Sequence, residues 1–229
     1  MINLFNKFLY EPLLKLLVFL YQNFSFHDLG IAIIVLTIII RFVLFPLFYK
    51  GAKDQAIMQR LAPKIKEIQK NHKDDKEKQT QALLGLYKEH KVNPFSGFLL
   101  LLIQLPILIA LYKVFLSGLS ELSHLGPINN LFLGIVDLNQ KNVLIIIAAT
   151  VVQYYQGKLA IPKTNKSLNE LDTAGRIGRQ MVFMGPILTF VFLYFFNLPS
   201  AVALYWLTTS VFSVIQQIII NKRIKGMNI

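Results

Sequence analysis

Long apolar blocks separated by shorter polar stretches set the pattern of this chain. Five blocks approach the about 20 helical residues that a hydrocarbon core requires. They are Leu29 to Tyr49, Pro94 to Leu116, Asn142 to Lys158, Gln180 to Phe196 and Pro199 to Ile220. The third and fourth are short. Only Asn197 and Leu198 separate the last two, which predicts a tight helical hairpin turning near Pro199. Between the first two blocks, Ala56-Ile57, Leu61, Ile65 and Ile68 form a thin apolar stripe at helical spacing. Leu83-Leu84 and Tyr87 form a second, beyond the charged "NHKDDKEKQ". Two amphipathic helices joined at a charged tip fit this pattern. At the N-terminus, Lys7, Glu11 and Lys15 recur every fourth residue and line one helical face, with Leu and Phe on the rest. That segment reads as a helix lying in the interface. The competing reading is a sixth span, which Glu11 and Pro12 would interrupt.

The expected fold is an all-α membrane protein with five transmembrane helices. The expected order is an interfacial amphipathic helix over 1–25, a first span over 26–50 and a cytoplasmic helical hairpin over 51–92. A second span follows over 93–117, an external loop over 118–141 and a third span over 142–158. Then come a cytoplasmic loop over 159–179, a fourth span over 180–197, a fifth over 198–220 and a cytoplasmic tail over 221–229.

Composition agrees with the pattern. Of 229 residues, 54% are hydrophobic and 16% charged, against about a quarter charged in a soluble domain. The absence of cysteine excludes disulfides and thiol catalysis. The net charge of +12 is unevenly placed: nineteen of the 24 Lys and Arg residues fall in 50–91, 158–179 and the tail. The positive-inside rule then puts the N-terminus outside and the C-terminus in the cytoplasm, in a multi-pass plasma membrane protein. Basic and acidic residues are mixed in the 51–92 segment, and a cytoplasmic membrane loop is expected to be basic, so nucleic acid is not an expected partner. The segment reads either as a solvated spacer or as an arm at the membrane surface, and the second reading is preferred.

Within the blocks, polar residues carry the candidate chemistry. Arg41 lies between Ile38–Ile40 and Phe42–Phe45, and a guanidinium at membrane depth costs roughly 3 kcal/mol on insertion scales. No proposed span holds an acidic mate for it. Arg41 either snorkels toward the cytoplasmic interface, about 13 Å away, or meets water in a cavity between helices. The second is preferred, since an intramembrane charge is a functional hypothesis in its own right. Thr37 lies one turn before Arg41. Gln104 stands alone in "LLLLIQLPILIALY". Thr150, Gln153 and Gly157 share a stripe with Gln156 nearby, and Trp206, Thr209, Ser213 and Gln216 line one helical face. Ordinary hydrogen bonding between membrane helices explains any one of these, but four stripes and an unpaired arginine ask for more. His27, His72, His90 and His124 fall in loops and no buried carboxylate is expected. No catalytic residue, metal site or cofactor is therefore proposed, and the chain does not read as an enzyme.

Five stretches resemble, in order, the YidC/Oxa/Alb membrane-protein insertase family. They are "IIIRFVLFPL", "MQRLAPKIKEIQKNH…LLGLYKEHKVNPFSG", "IQLPILIALY", "QGKLAIP" and "NLPSAVALYWLTTSVFSVIQQ". The resemblance covers nearly the whole chain and is to the minimal core of that family. It implies five transmembrane helices around a hydrophilic groove open to the cytoplasm, in a membrane insertase and chaperone. Such a protein captures hydrophilic segments of nascent membrane proteins in a positively charged groove and releases their hydrophobic segments into the bilayer. It implies Arg41 as the charged groove residue, with Gln104, Gln156 and Trp206 at matching positions. Thr37, Gln153, Thr209 and Ser213 complete the candidate groove from the stripes. Expected partners are nascent membrane proteins and the lipid bilayer, with the Sec translocon and the ribosome as further candidates. The alternative is a small anion or solute transporter or channel with Arg41 as its site; the lack of an internal repeat counts against it.

Overall fold

The computed structural model describes residues 2–115, 128–161 and 173–225. Residues 118–127 of the expected external loop, 162–172 of the expected cytoplasmic loop and the last four residues of the tail lie outside them. The architecture is almost wholly helical. Helix α1 (Ile2–Phe5) runs through a π-helical turn, Asn6–Tyr10, into α2 (Glu11–Asn23). Then follow α3 (Leu29–Val43), α4 (Phe45–Asn71), α5 (Lys76–Glu89) and α6 (Ser96–Lys113). A two-stranded hairpin, β1 (Leu131–Phe132) and β2 (Val136–Asp137), precedes α7 (Val143–Ala160), α8 (Thr173–Phe195) and α9 (Ser200–Ile224). The strands are antiparallel, with Leu131 opposite Asp137 and Phe132 opposite Val136.

Among the described residues, α6, α7 and α9 are each long and apolar enough to cross a membrane. The pair α3 and α4 adds a fourth candidate if counted as one bent span, and α8 contributes a shorter apolar stretch, Val182–Phe195. The first expected span differs in shape from its sequence reading. It is not straight to Tyr49 but breaks at Leu44, and the two helices meet at a bend of 70°. Pro46, in the first turn of α4, is the cause. It has no N–H for the Phe42 carbonyl, and its ring clashes with a continuous helix at that carbonyl.

Local chemistry sets the other ends. Asp28 caps α3 by accepting from the Ile31 N–H (3.0 Å), and Asn142 caps α7 through the N–H groups of Leu144 and Ile145. The expected turn between the last two helices is a Schellman-type stop. Asn197 takes the left-handed conformation, φ 52°, and the Leu198 N–H reaches back to the Leu193 carbonyl. Pro199 then launches α9, whose first N–H groups, at Ser200 and Ala201, donate to the carbonyls of Gln140 and Leu138. Asn221 on α9 donates to the Leu159 carbonyl and closes the end of α7. Helices α7 and α9 share the most extensive packing.

The described residues form two hydrophobic cores. The main one joins α2, α3, α6, α7 and the start of α9, with Leu17, Ile33, Leu36, Leu111, Ile146 and Ala201–Tyr205 buried. The second sits at the opposite end. There Ala56, Ile57 and Leu61 of α4 meet Leu86, Val92 and the last turns of α9 at Ile220 and Ile224. The hairpin stripes, thin by sequence, are thus thickened at their base by α9. Arg60 adds a bond from its guanidinium to the Ile224 carbonyl (3.0 Å).

Candidate functional site

The break at Leu44 positions Arg41. The guanidinium lies in the last turn of α3, and the turn of chain after Pro46 brings the Phe48 ring of α4 back beneath it, 4.5 Å from ring centre to Arg41 Cζ. Arg41 is only 7% exposed. Among the described residues no carboxylate pairs with it, in keeping with the sequence. A desolvated cation–π contact contributes about 2 kcal/mol, whereas the effective penalty for a buried ion is several kcal/mol. The ring therefore offsets only part of the cost.

Arg41 faces a cavity of about 370 Å³. Its walls come from four further helices. Helix α4 gives Phe48, Ala52 and Gln55, and α6 gives Leu100, Gln104, Leu105 and Leu108. Helix α7 gives Gln153 and Gln156, and α9 gives Tyr205, Trp206, Thr209, Ser210, Ser213 and Gln216. Spacings of three and four residues on each helix explain why these side chains share a surface. Among the described residues Arg41 is the sole charged lining residue, beside amides, hydroxyls and a larger share of apolar groups. The Gln104 amide donates to the Tyr205 hydroxyl, linking α6 to α9. The Gln153 Oε1 is buried and has no hydrogen-bond partner among the described residues. Along α9 the lining runs from Tyr205 to Gln216, about 16 Å at 1.5 Å per residue, toward the end where the α4–α5 hairpin packs. Beyond Tyr205, Ala201–Leu204 are buried in the main core and close the other end.

Of the sequence candidates, Arg41, Gln104, Gln153, Gln156, Trp206, Thr209 and Ser213 all line this cavity. Thr37 does not. It is buried, and its hydroxyl donates back to the Ile33 carbonyl of its own helix (2.6 Å), the usual recourse of a membrane-helix threonine without another partner. The α7 stripe also divides. Thr150 bonds the Ile146 carbonyl, and Gly157 meets the Val182 backbone of α8, where a Cβ would lie at 3.4 Å. The sequence reading missed Tyr205, Phe48, Gln55 and Ser210. Tyr205 and Phe48 carry no signal in an aromatic-rich chain, but Gln55 lies two turns after Phe48 and could have been placed by spacing.

One expectation needs correction. A carboxylate is buried: Asp54, only 3% exposed. Its Oδ2 accepts from the Ser96 hydroxyl (2.6 Å) and the Asn93 N–H (3.4 Å), joining α4 to the start of α6. Gly51, one turn earlier, is pressed against Leu100, and a Cβ there would fall 2.6 Å from that side chain. A second crevice of about 430 Å³ between α7 and α8 is lined by Val151, Tyr154, Tyr155, Phe183, Pro186 and Phe190 among others. It offers no charge and little polar chemistry.

The model of the 60Kd inner membrane protein family matches residues 19–227. The membrane protein insertase YidC of Syntrophus aciditrophicus (strain SB) is 38% identical over 221 residues, covering 95% of this chain and 37% of the relative. That of Geobacter metallireducens is 34% identical over 214 residues, 93% of this chain and 37% of the relative. The chain thus spans a little over a third of the length of these curated relatives. A crystal structure of an active YidC insertase with its first transmembrane domain resolved superposes with a TM-score of 0.60 at 31% identity. That match covers 90% of this chain and 44% of the other. With the family model matched over nearly its whole length and such relatives along more than nine-tenths of it, the chain belongs to the YidC/Oxa/Alb family, the 60Kd inner membrane protein family.

Proposed function

We propose that this chain is the membrane-embedded core of an insertase. It captures hydrophilic segments of nascent membrane proteins beside Arg41 and releases their hydrophobic segments into the bilayer. One observation carries the reading: a guanidinium with no carboxylate partner is the sole charge, among the described residues, in a mostly apolar cavity that also carries amides and hydroxyls. An acidic or polar segment held there would supply the charge and hydrogen bonds that Phe48 leaves unmet. The exposed apolar faces of α6 (Phe98, Leu102, Ile109) and α8 (Phe183, Ile187, Leu188) would carry the hydrophobic segment. This reading includes five spans, with α3–α4 bent and α8 short, an N-terminus outside and a C-terminus in the cytoplasm. Nascent membrane proteins and the bilayer are the partners, with the Sec translocon and the ribosome as candidates. The names of the relatives support it over a transporter built on the same arginine.

The test is photocrosslinking during translation. A photoreactive residue at Gln104 or Trp206 should form an adduct with a short nascent membrane protein. It should form none with a soluble chain of equal length. Equal labelling of both, together with anion flux through vesicles holding the purified protein, would overturn insertion in favour of transport.

A further inference from the structure

Two turns at the end of the molecule opposite the α4–α5 hairpin hold large apolar side chains in the open. In the α2–α3 turn Phe26 is 93% exposed and Phe24 is exposed beside it; in the β1–β2 turn Ile135 is 82% exposed and Leu133 is exposed too. Specific bonds join these turns. The Asp28 carboxylate caps α3 with one oxygen and accepts the Leu133 N–H with the other (2.6 Å). The Tyr21 hydroxyl accepts the Asn129 N–H, and its ring packs edge-on against His27. The Phe132 ring presses on α3 where Gly30 has no side chain; a Cβ there would sit 2.1 Å from the ring.

Backbone and composition disagree with a watery setting. Phe26, His27 and Leu133 hold φ of 54°, 60° and 53°, a region that disfavours bulky side chains. The β-turn has left-handed φ at Leu133 and Gly134, where Asn-Gly or Asp-Gly would be usual in water. The fold accepts a leucine in an unfavourable conformation and leaves it exposed. Patches of this kind mark an interaction surface. The neighbourhood identifies the partner. Leu29, the first residue of α3, follows Phe26 almost directly, and Val143 opens the candidate span α7 just after β2. Phe19 continues the exposed apolar surface, its ring centre 5.6 Å from that of Phe24, and Leu4 and Phe8 are exposed farther back along the N-terminal helices.

We propose that Phe24, Phe26, Leu133 and Ile135 form a wedge inserted into the lipid leaflet on the side away from the α4–α5 hairpin. Asp28 locks the two turns together and so fixes the depth of that end of the molecule. The partner is lipid rather than protein because the patch is continuous with the ends of the apolar helices.

Trp206 is the one tryptophan of the chain, which makes the depth measurable. In a Trp206→Phe background, Phe26→Trp and separately Ile135→Trp are reconstituted into phosphatidylcholine–phosphatidylglycerol vesicles. Each tryptophan should emit blue-shifted light. Lipids brominated near the headgroup end of the acyl chain should quench it about two-fold or more strongly than acrylamide does, which places it roughly 5–10 Å below the headgroups. Adding Asp28→Ala should shift at least one tryptophan toward acrylamide. Red-shifted emission at both sites, quenched mainly by acrylamide, overturns the wedge and points to a protein partner instead. Unchanged depths after Asp28→Ala overturn the lock. Neither readout depends on insertase activity.

Discussion

At Asp54 a single carboxylate fastens the base of the α4–α5 hairpin to the first turn of α6, and α6 carries Gln104 into the cavity. A hydrogen bond to a charged group contributes about 1.5–3 kcal/mol. Asp54→Ala should lower stability by about that amount, Asp54→Asn by less. Ser96→Ala on top of Asp54→Ala should add little, because the two residues share one bond. Unfolding of the single and double variants in detergent micelles checks this, and fully additive losses would mean that the two side chains act apart. Burial at Asp54 was not legible in the sequence. The residue sits in a stretch so rich in charge that solvent exposure is the natural reading, and only its partner 42 positions away reveals otherwise. Arg41 and Gln104 were legible for the opposite reason: a polar group inside an apolar run has to be accounted for.

The helices were easier to read than their breaks. The apolar blocks fall close to α6, α7 and α9, and Pro199 marks the start of α9, whereas the cap at Asn142 emerges only with the structure. The bend at Leu44 was harder, because Pro46 is compatible with a kinked span as well as a broken one. The hairpin divides into a buttressed base and a free tip. At the tip Asp75 caps α5, accepting from the Lys78 N–H (3.0 Å) and pairing with the Lys78 ammonium (3.1 Å). The Lys78 N–H first, and then its side chain, hold the Asp75 carboxyl below its ordinary range. A depressed value in the folded state means that the cap is in full force above the unfolded aspartate range, near pH 3.9. It is lost only as the pH falls through the folded value beneath it. Carbonyl NMR should therefore find Asp75 titrating below a peptide aspartate, with α5's first turn intact at neutral pH. Amide exchange at neutral pH should be fast around Lys73–Lys76 and slow at Leu61 and Leu86, which lie in the second core. Uniform exchange along the hairpin would show that α9 does not brace its base.

At the scale of the molecule, two cores among the described residues leave a cavity between them, mostly apolar but carrying Arg41, amides and hydroxyls. The main core closes it beyond Tyr205, and the second core seats the hairpin at the other end. A hydrophilic segment entering from the hairpin side would meet amides and hydroxyls before the guanidinium. This would shorten the path it must cross through lipid. The polar stripes pointed toward such a surface, but the way α4 folds back to contribute Phe48, Ala52 and Gln55 follows from the break and was not visible beforehand. The central claim is that the charge at Arg41 captures substrate. It is tested most directly by an insertion assay on one single-span substrate whose short translocated tail carries no, one or two aspartates. The assay is run against Arg41→Lys, Arg41→Ala and Arg41→Glu at matched protein levels. Lysine should retain much of the activity. Alanine should lower insertion of the two-aspartate tail by about ten-fold or more, the equivalent of one lost charge-assisted contact, and should affect the neutral tail least. Glutamate should be worse again for acidic tails, because like charges repel across a poorly hydrated gap. Losses of equal size for every tail, whatever its charge, would contradict electrostatic capture.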